Sequence, residues 1–374
     1  MSLIIDVGMR ISLILGLLTG LSVVVLSLVW VERKFLGRIQ MRMGPMEVGP
    51  YGLLQPVADA IKLVAKEDLL SPWVDRIVYW IAPLAVFIPS FMIWVTIPIS
   101  RDIVIRNMDM GLFYIIAFSV LSIVGLVAAG WASSNKYAVL GGFRAAAQLI
   151  SYEIPLIMAV LGVAMLAQSL NLQEIVNQQD TYVYALVQPL GLLIFFIAGL
   201  AEIGRTPFDI HPAESEVVGG PFVEYSGAHW SIFFLAEYIN TFAVAALTVL
   251  LFLGGWLLPG LSGGAITTVG ILVFFAKTYL VVLIIFWFRG TYPRLRIDQL
   301  MSFGWKMLVP LSFFNIILTA CYLFYGWPTW LMSIISITVL VSVFWLVSKR
   351  MNNTKKEYTV HIYKPESSEV KNAG

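Results

Sequence analysis

Residues 201–238 read AEIGRTPFDIHPAESEVVGGPFVEYSGAHWSIFFLAEY, a polar stretch between two apolar runs. It holds Glu202, Asp209, Glu214, Glu216, Glu224 and Glu237 against one formal cation, Arg205. The flanking runs, 186–202 and 233–257, are each long enough as helices to cross a hydrocarbon core. The chain therefore leaves and re-enters a membrane around an acidic loop. Carboxylates crowded beside apolar helices disfavour one another's charge and exchange protons near neutral pH. A proton-handling site is the functional expectation, and a solvated acidic connection is the alternative.

Working outward, the composition agrees. In 374 residues, 59% are hydrophobic and only 12% charged, and the mean hydropathy is +0.86. A water-soluble domain has about 25% charged residues, so this is an all-α, polytopic membrane bundle. Apolar windows fall near 10–31, 77–99, 112–132, 148–168, 186–202, 233–257, 268–288, 308–327 and 329–348. These predict about nine transmembrane helices in one domain over 1–348, with a polar tail over 349–374. The inner loops are predicted at 32–76, 133–147, 203–232 and 289–307. The first span reads as a retained helix, since it lacks the small-residue cleavage site of a signal peptide.

Charge sets the orientation. Twenty of the 24 Lys and Arg fall on one face; Arg10, Arg101 and Arg106 fall on the other, and Lys277 lies inside the seventh span. Basic loops stay on the cytoplasmic side, or its topological equivalent in an organelle, so the N-terminus is expected on the far side and the C-terminus on the inner side. On that assignment Glu202, Glu153 and Glu237 gather near the inner third of the bilayer. Acids in spans cost about 2.5–3.5 kcal/mol each on insertion scales, so they are site candidates, with Lys277 a possible partner for one.

Other chemistry is excluded by residue type. One cysteine, Cys321, rules out a disulfide framework or a self-contained iron–sulfur cluster. The three histidines, His211, His229 and His361, lack metal-ligand spacing, and no phosphate-cradling glycine motif is present.

The first inner loop is dense in signals. Arg33, Arg38 and Arg42 precede Gly44-Pro45 and Gly49-Pro50, which force turns. Over 52–66, Leu54, Val57, Ile61 and Val64 recur at helical spacing with Asp59, Lys62 and Lys66 off that stripe, predicting a short amphipathic helix in the interface plane. In 133–147, Gly141-Gly142 is read as a backbone-freeing pair, with Arg144 capping the next span.

Four stretches carry a resemblance: ERKFLGRIQMRMGPMEVGPYGLLQPVADAIKL at 32–63, GGFRAAAQLISYEIPL at 141–156, EIGRTPFDIHPAESEVVGGPFVEYSG at 202–227 and FRGTYPRLRIDQLM at 288–301. Together they resemble the membrane-embedded H-subunit family of proton-pumping NADH:quinone oxidoreductase, respiratory complex I, over roughly residues 10–330. The resemblance implies a quinone tunnel, for ubiquinone or menaquinone as substrate, shaped by Glu32, Arg33, Phe35, Arg38, Arg42, Asp59, Lys62, Arg289 and Arg294. It implies a proton-coupling path through Glu153, Glu202, Arg205, Asp209, Glu214, Glu216, Glu224 and Glu237. No redox centre is expected on this chain; FMN and iron–sulfur clusters would sit in partner subunits, two of which would roof the tunnel from the inner face while membrane-arm subunits pack laterally. A ninth span and the tail depart from the eight-span mitochondrial form, and so point to a bacterial plasma membrane rather than the mitochondrial inner membrane, with the C-terminus cytoplasmic. Two other readings remain: a related hydrogenase or ferredoxin-type complex, and a free-standing proton-coupled transporter, although the inverted repeats common in such transporters are not seen.

Overall fold

The structure is a computed structural model that describes residues 2–210, 218–257 and 267–357. Among the described residues there is no strand; the elements are helices and the turns between them. In order they are α1 (Ser2–Ile39), α2 (Gln55–Ala65), α3 (Arg76–Met92), α4 (Gly111–Ala132), α5 (Lys136–Ala167), α6 (Leu172–Asn177), α7 (Tyr184–Val187), α8 (Pro189–Ile203), α9 (Gly227–Phe252), α10 (Thr267–Thr291), α11 (Ile297–Phe303), α12 (Val309–Tyr325) and α13 (Thr329–Glu357). Eight of the described helices are long and apolar enough to cross a membrane, with the shorter Pro189–Ile203 beside them. The chain is a multi-pass membrane protein.

The fifth predicted window, 186–202, is divided. α7 stops at Val187 and α8 begins at Pro189, with Gln188 at φ −131° and ψ 62° between them. Proline has no N–H to continue a helix but fits a first helical position. The break leaves the Gln188 amide free to donate to Thr319 Oγ1 at 3.0 Å inside the bundle.

Two loop boundaries move. The predicted inner loop 133–147 is mostly helix, because the Asn135 side chain accepts from Tyr137 N–H and starts α5 at Lys136. Gly141 and Gly142 therefore do not loosen the backbone. They let neighbours approach, since a Cβ on Gly141 would lie 2.5 Å from Gly220 Cα, the use small residues have between membrane helices. Arg144 lies within α5 and does not cap it. The predicted loop 289–307 is likewise largely helical: α10 runs to Thr291, α11 follows, and a π-turn over Gly304–Leu308 leads directly into α12.

α9 is the central element, with 78% of its apolar window enclosed, the largest share among the candidate spans. It packs against α3, α8 and α10, while α3, α4, α5 and α8 pack in succession around it. Small residues set the spacing: a Cβ on Gly125 of α4 would fall 2.6 Å from Val86 Cγ2 of α3. Outward faces are apolar, as lipid contact requires. Leu54, Val57, Ile61 and Val64 are all exposed, so the stripe of α2 points away from the bundle, as an interfacial helix would present it.

Candidate functional site: a buried charge knot beside two acid-lined cavities

The acidic loop is aimed by its first turn. α8 ends at Gly204, whose φ of 69° is left-handed, a conformation glycine adopts without a Cβ penalty. The reversal drives Arg205 back into the bundle, where it is only 3% exposed. Gln148 of α5 pins the turn from the side, donating from Nε2 to the carbonyls of Ala201 at 2.8 Å and Phe208 at 2.7 Å. Leu295 N–H, just before α11, donates to Pro207 O at 3.0 Å.

Around Arg205 the fold assembles a knot from four separate segments. Arg205 Nε lies 3.1 Å from Glu237 Oε1 of α9, and Nη1 lies 3.6 Å from Glu32 Oε1 near the end of α1. Arg289, from the last turns of α10, pairs with the same Glu32 oxygen. Tyr238 donates its hydroxyl to Glu32 Oε2 at 2.8 Å, and the Arg205 guanidinium sits over the Tyr238 ring at 4.5 Å. Burial opposes the charge on Arg205, but the carboxylates of Glu237 and Glu32 more than offset it, and its pKa is raised. Arg205 and Glu32 are enclosed, whereas the Glu237 and Arg289 side chains are 37% and 33% exposed, so losing one member costs less than the about 3–5 kcal/mol of a fully buried pair.

The cation deficit read from the loop alone is thus met from elsewhere. Arg294 Nη2 pairs with Asp209 Oδ2 at 3.1 Å, and Asn135 Nδ2 donates to Glu224 Oε1 at 3.1 Å. Lys277 pairs with none of the described acids: its ammonium donates to the carbonyls of Leu253, Gly255 and Leu257, closing the far end of α9, as cations do at helix C-termini. Glu214 and Glu216 lie outside the described residues.

Glu202 and Glu153 form a second group. They are close enough for their charges to interact, and the Ser119 hydroxyl is within hydrogen-bonding reach of Glu202. Glu153 sits near the middle of α5, because that helix starts earlier than the hydropathy window. Glu237 likewise lies about 15 Å along α9 at ~1.5 Å per residue. Two cavities meet at Glu202. One, of about 130 Å³, is bounded by Glu202, Glu237, Asn240, Ser122, Trp230 and Phe234 among others. The second, of about 50 Å³, continues from Glu202, Asn240, Ser119 and Ser122 between apolar walls of α4, α8 and α9.

The tunnel residues expected in the first loop separate into two sets. Arg33 pairs with Asp59, which also accepts from Gln55 Nε2 at 3.0 Å, tying α2 to α1, and Phe35 packs against the main core. Arg38, Arg42 and Lys62 are exposed; Arg42 Nε donates to Gln40 at 2.6 Å. Sequence reasoning missed Tyr238, Gln148, Ser119, Ser122 and Asn240. Each is a polar group inside an apolar span, which is the signal that marks them. Among the described residues no three His, Cys, Asp or Glu side chains are grouped as metal ligands.

The family model for NADH dehydrogenase matches residues 12–320. The chain belongs to the NADH dehydrogenase family. Within that family it is 51% identical over 316 residues to the NADH-quinone oxidoreductase H subunit of Geobacillus kaustophilus, covering 83% of this chain and 94% of that protein. It is 45% identical over 316 residues to the H subunit of the same oxidoreductase from Dehalococcoides mccartyi, covering 84% and 87%. The corresponding H subunit of Bacillus thuringiensis is 48% identical over 293 residues, covering 77% and 86%. The matched region contains the whole charge knot and both cavities; α13 begins beyond the family model.

Proposed function

We propose that this chain is the quinone-housing membrane subunit of a proton-translocating NADH:quinone oxidoreductase, coupling quinone reduction to proton movement. The name of its relatives supports the complex. The observation that carries the coupling is the Glu32–Arg205–Glu237 knot: it joins the α1 end that leads into interfacial helix α2, where quinone would enter, to the Glu202 cavities inside the bundle.

In this reading the apolar outer face of α2 lies against the lipid that delivers the isoprenoid substrate, and Arg33 and Asp59 hold the entrance wall in place. Electrons arrive from FMN and iron–sulfur centres on peripheral partners at the basic, cytoplasmic end; the N-terminus is outside. Reducing a quinone to a quinol takes up two protons, and the negative charge created first is felt by the nearest ionised groups. Glu32 and Glu237 share Arg205, so charge arriving on one side of that guanidinium weakens or strengthens its hold on the other. Glu237 faces the same cavity as Glu202, giving the disturbance a route to Glu202 and Glu153.

Glu202→Gln in the assembled complex tests the proposal. The expected result is normal assembly with quinone reductase activity and proton pumping both reduced. Wild-type turnover and pumping in that variant would remove Glu202, and the route through it, from the coupling.

A further inference from the structure

The two cavities share four lining residues: Glu202, Ile203, Ser122 and Asn240. Ile203 is apolar, and Ser122 commits its hydroxyl hydrogen to Ser119 O at 2.7 Å. Asn240 differs from both. Its Oδ1 is buried and has no hydrogen-bond partner among the described residues, which costs about 1–3 kcal/mol unless water supplies the bond. Three residues after Glu237, it stands on the same face of α9 one turn further along. The larger cavity, about 130 Å³, has room for roughly four waters at ~30 Å³ each.

We infer that Asn240 is a positioning residue for proton passage between Glu237 and Glu202: its amide holds the water that joins the two carboxylates. The inference rests on the proton-coupling reading above. An amide suits the task because it offers a donor and an acceptor without carrying charge, so it orients water while leaving titration to the acids. Glu237 uses Oε1 against Arg205 and borders the cavity that Glu202 also borders. Passage then balances simply. Protonated Glu202 gives its proton to the water oxygen as a hydrogen of that water passes to the Glu237 carboxylate. One proton moves, the water is restored and no electron changes place. The reverse step uses the same atoms.

Asn240→Leu, Asn240→Ser and Glu202→Gln, each in the complete complex reconstituted in vesicles, test this. N240L keeps similar volume without a polar end; N240S is short and polar and leaves space for a further water. The expected result is normal assembly with turnover and pumping reduced on the order of tenfold in N240L, a larger H2O/D2O rate ratio than wild type, and recovery of most activity in N240S. A residue that merely packs would leave the isotope ratio unmoved. If Leu blocks assembly, Asn240→Val replaces it with the same expectation. Wild-type turnover and isotope ratio in N240L or N240V, with E202Q impaired, overturn the role of Asn240 and leave the coupling route standing. Wild-type behaviour in all three variants overturns both.

Discussion

Arg205 and Glu237 meet at 3.1 Å, Nε to Oε1, although one lies in the turn after α8 and the other well inside α9. Glu32 completes the arrangement from the far end of the chain, 3.6 Å from Nη1. One guanidinium therefore ties together the helix leading to α2 and the helix bordering the acid-lined cavities. Arg205→Met should leave Glu237 without its cation while Glu32 keeps Arg289 and Tyr238, and destabilise the protein by less than the about 3–5 kcal/mol of breaking a fully buried pair. Thermal unfolding of the detergent-solubilised complex measures it. Arg205→Lys should recover only part of that loss, because an ammonium lacks the planar fork that reaches two partners and lies over the Tyr238 ring. Full recovery by Lys would mean that charge alone matters.

Arg33 and Asp59 behave differently because they are wet. Their side chains are 43% and 31% exposed, and such pairs contribute about 0–1 kcal/mol. Arg33→Ala should leave assembly and Tm nearly unchanged while raising the apparent KM for quinone, since α2 loses its tether to α1. Steady-state kinetics with a short-chain quinone check this, and an unchanged KM would take Arg33 out of the entrance wall.

Gln148 holds the acidic turn through two carbonyls at 2.8 and 2.7 Å. Gln148→Leu removes one bond from each, leaving Ala201 O with Gly204 N–H and Phe208 O with Ile210 N–H, at about 0.5–1.5 kcal/mol per lost bond, and loosens the segment that carries Arg205. Greater protease sensitivity near Arg205 and lower activity per assembled complex are expected. Limited proteolysis identical to wild type would show that the turn is held by its other bonds.

A side chain at Gly141 has nowhere to go. Its Cβ would stand 2.5 Å from Gly220 Cα, backbone against backbone, so Gly141→Val should force the α5 start away from the loop before α9 and cost about 1–3 kcal/mol or more. The amount of intact complex recovered from membranes measures it, and wild-type recovery would mean that the two segments separate freely.

Lys277 gives a contrasting outcome. Its three bonds to the carbonyls at the far end of α9 are structural, so Lys277→Met should lower Tm while leaving turnover per folded complex near wild type. A selective loss of pumping at unchanged Tm would instead place the ammonium in the proton route.

The spans and the amphipathic helix α2 were legible in the chain because each depends on neighbours a few residues away: apolar length and helical spacing are local quantities. So was the need to compensate Glu153, Glu202 and Glu237, since charge inside an apolar span has to be offset, whereas Glu32 entered only through the family resemblance. Their partners were not. Arg289 reaches Glu32 and Arg294 reaches Asp209 across long separations in sequence, and Lys277, which composition offered as a counter-ion for the acids, turned to backbone carbonyls instead. The Gly141-Gly142 pair reads as a turn in one dimension and as a contact surface in three. Tertiary packing alone decided which face each helix turned inward, and so which carboxylates share a guanidinium and which share a cavity with Asn240. A membrane-crossing helix forms from its own hydrogen bonds whatever surrounds it, whereas an ion pair or a cavity exists only when separate helices meet in a particular rotation and depth.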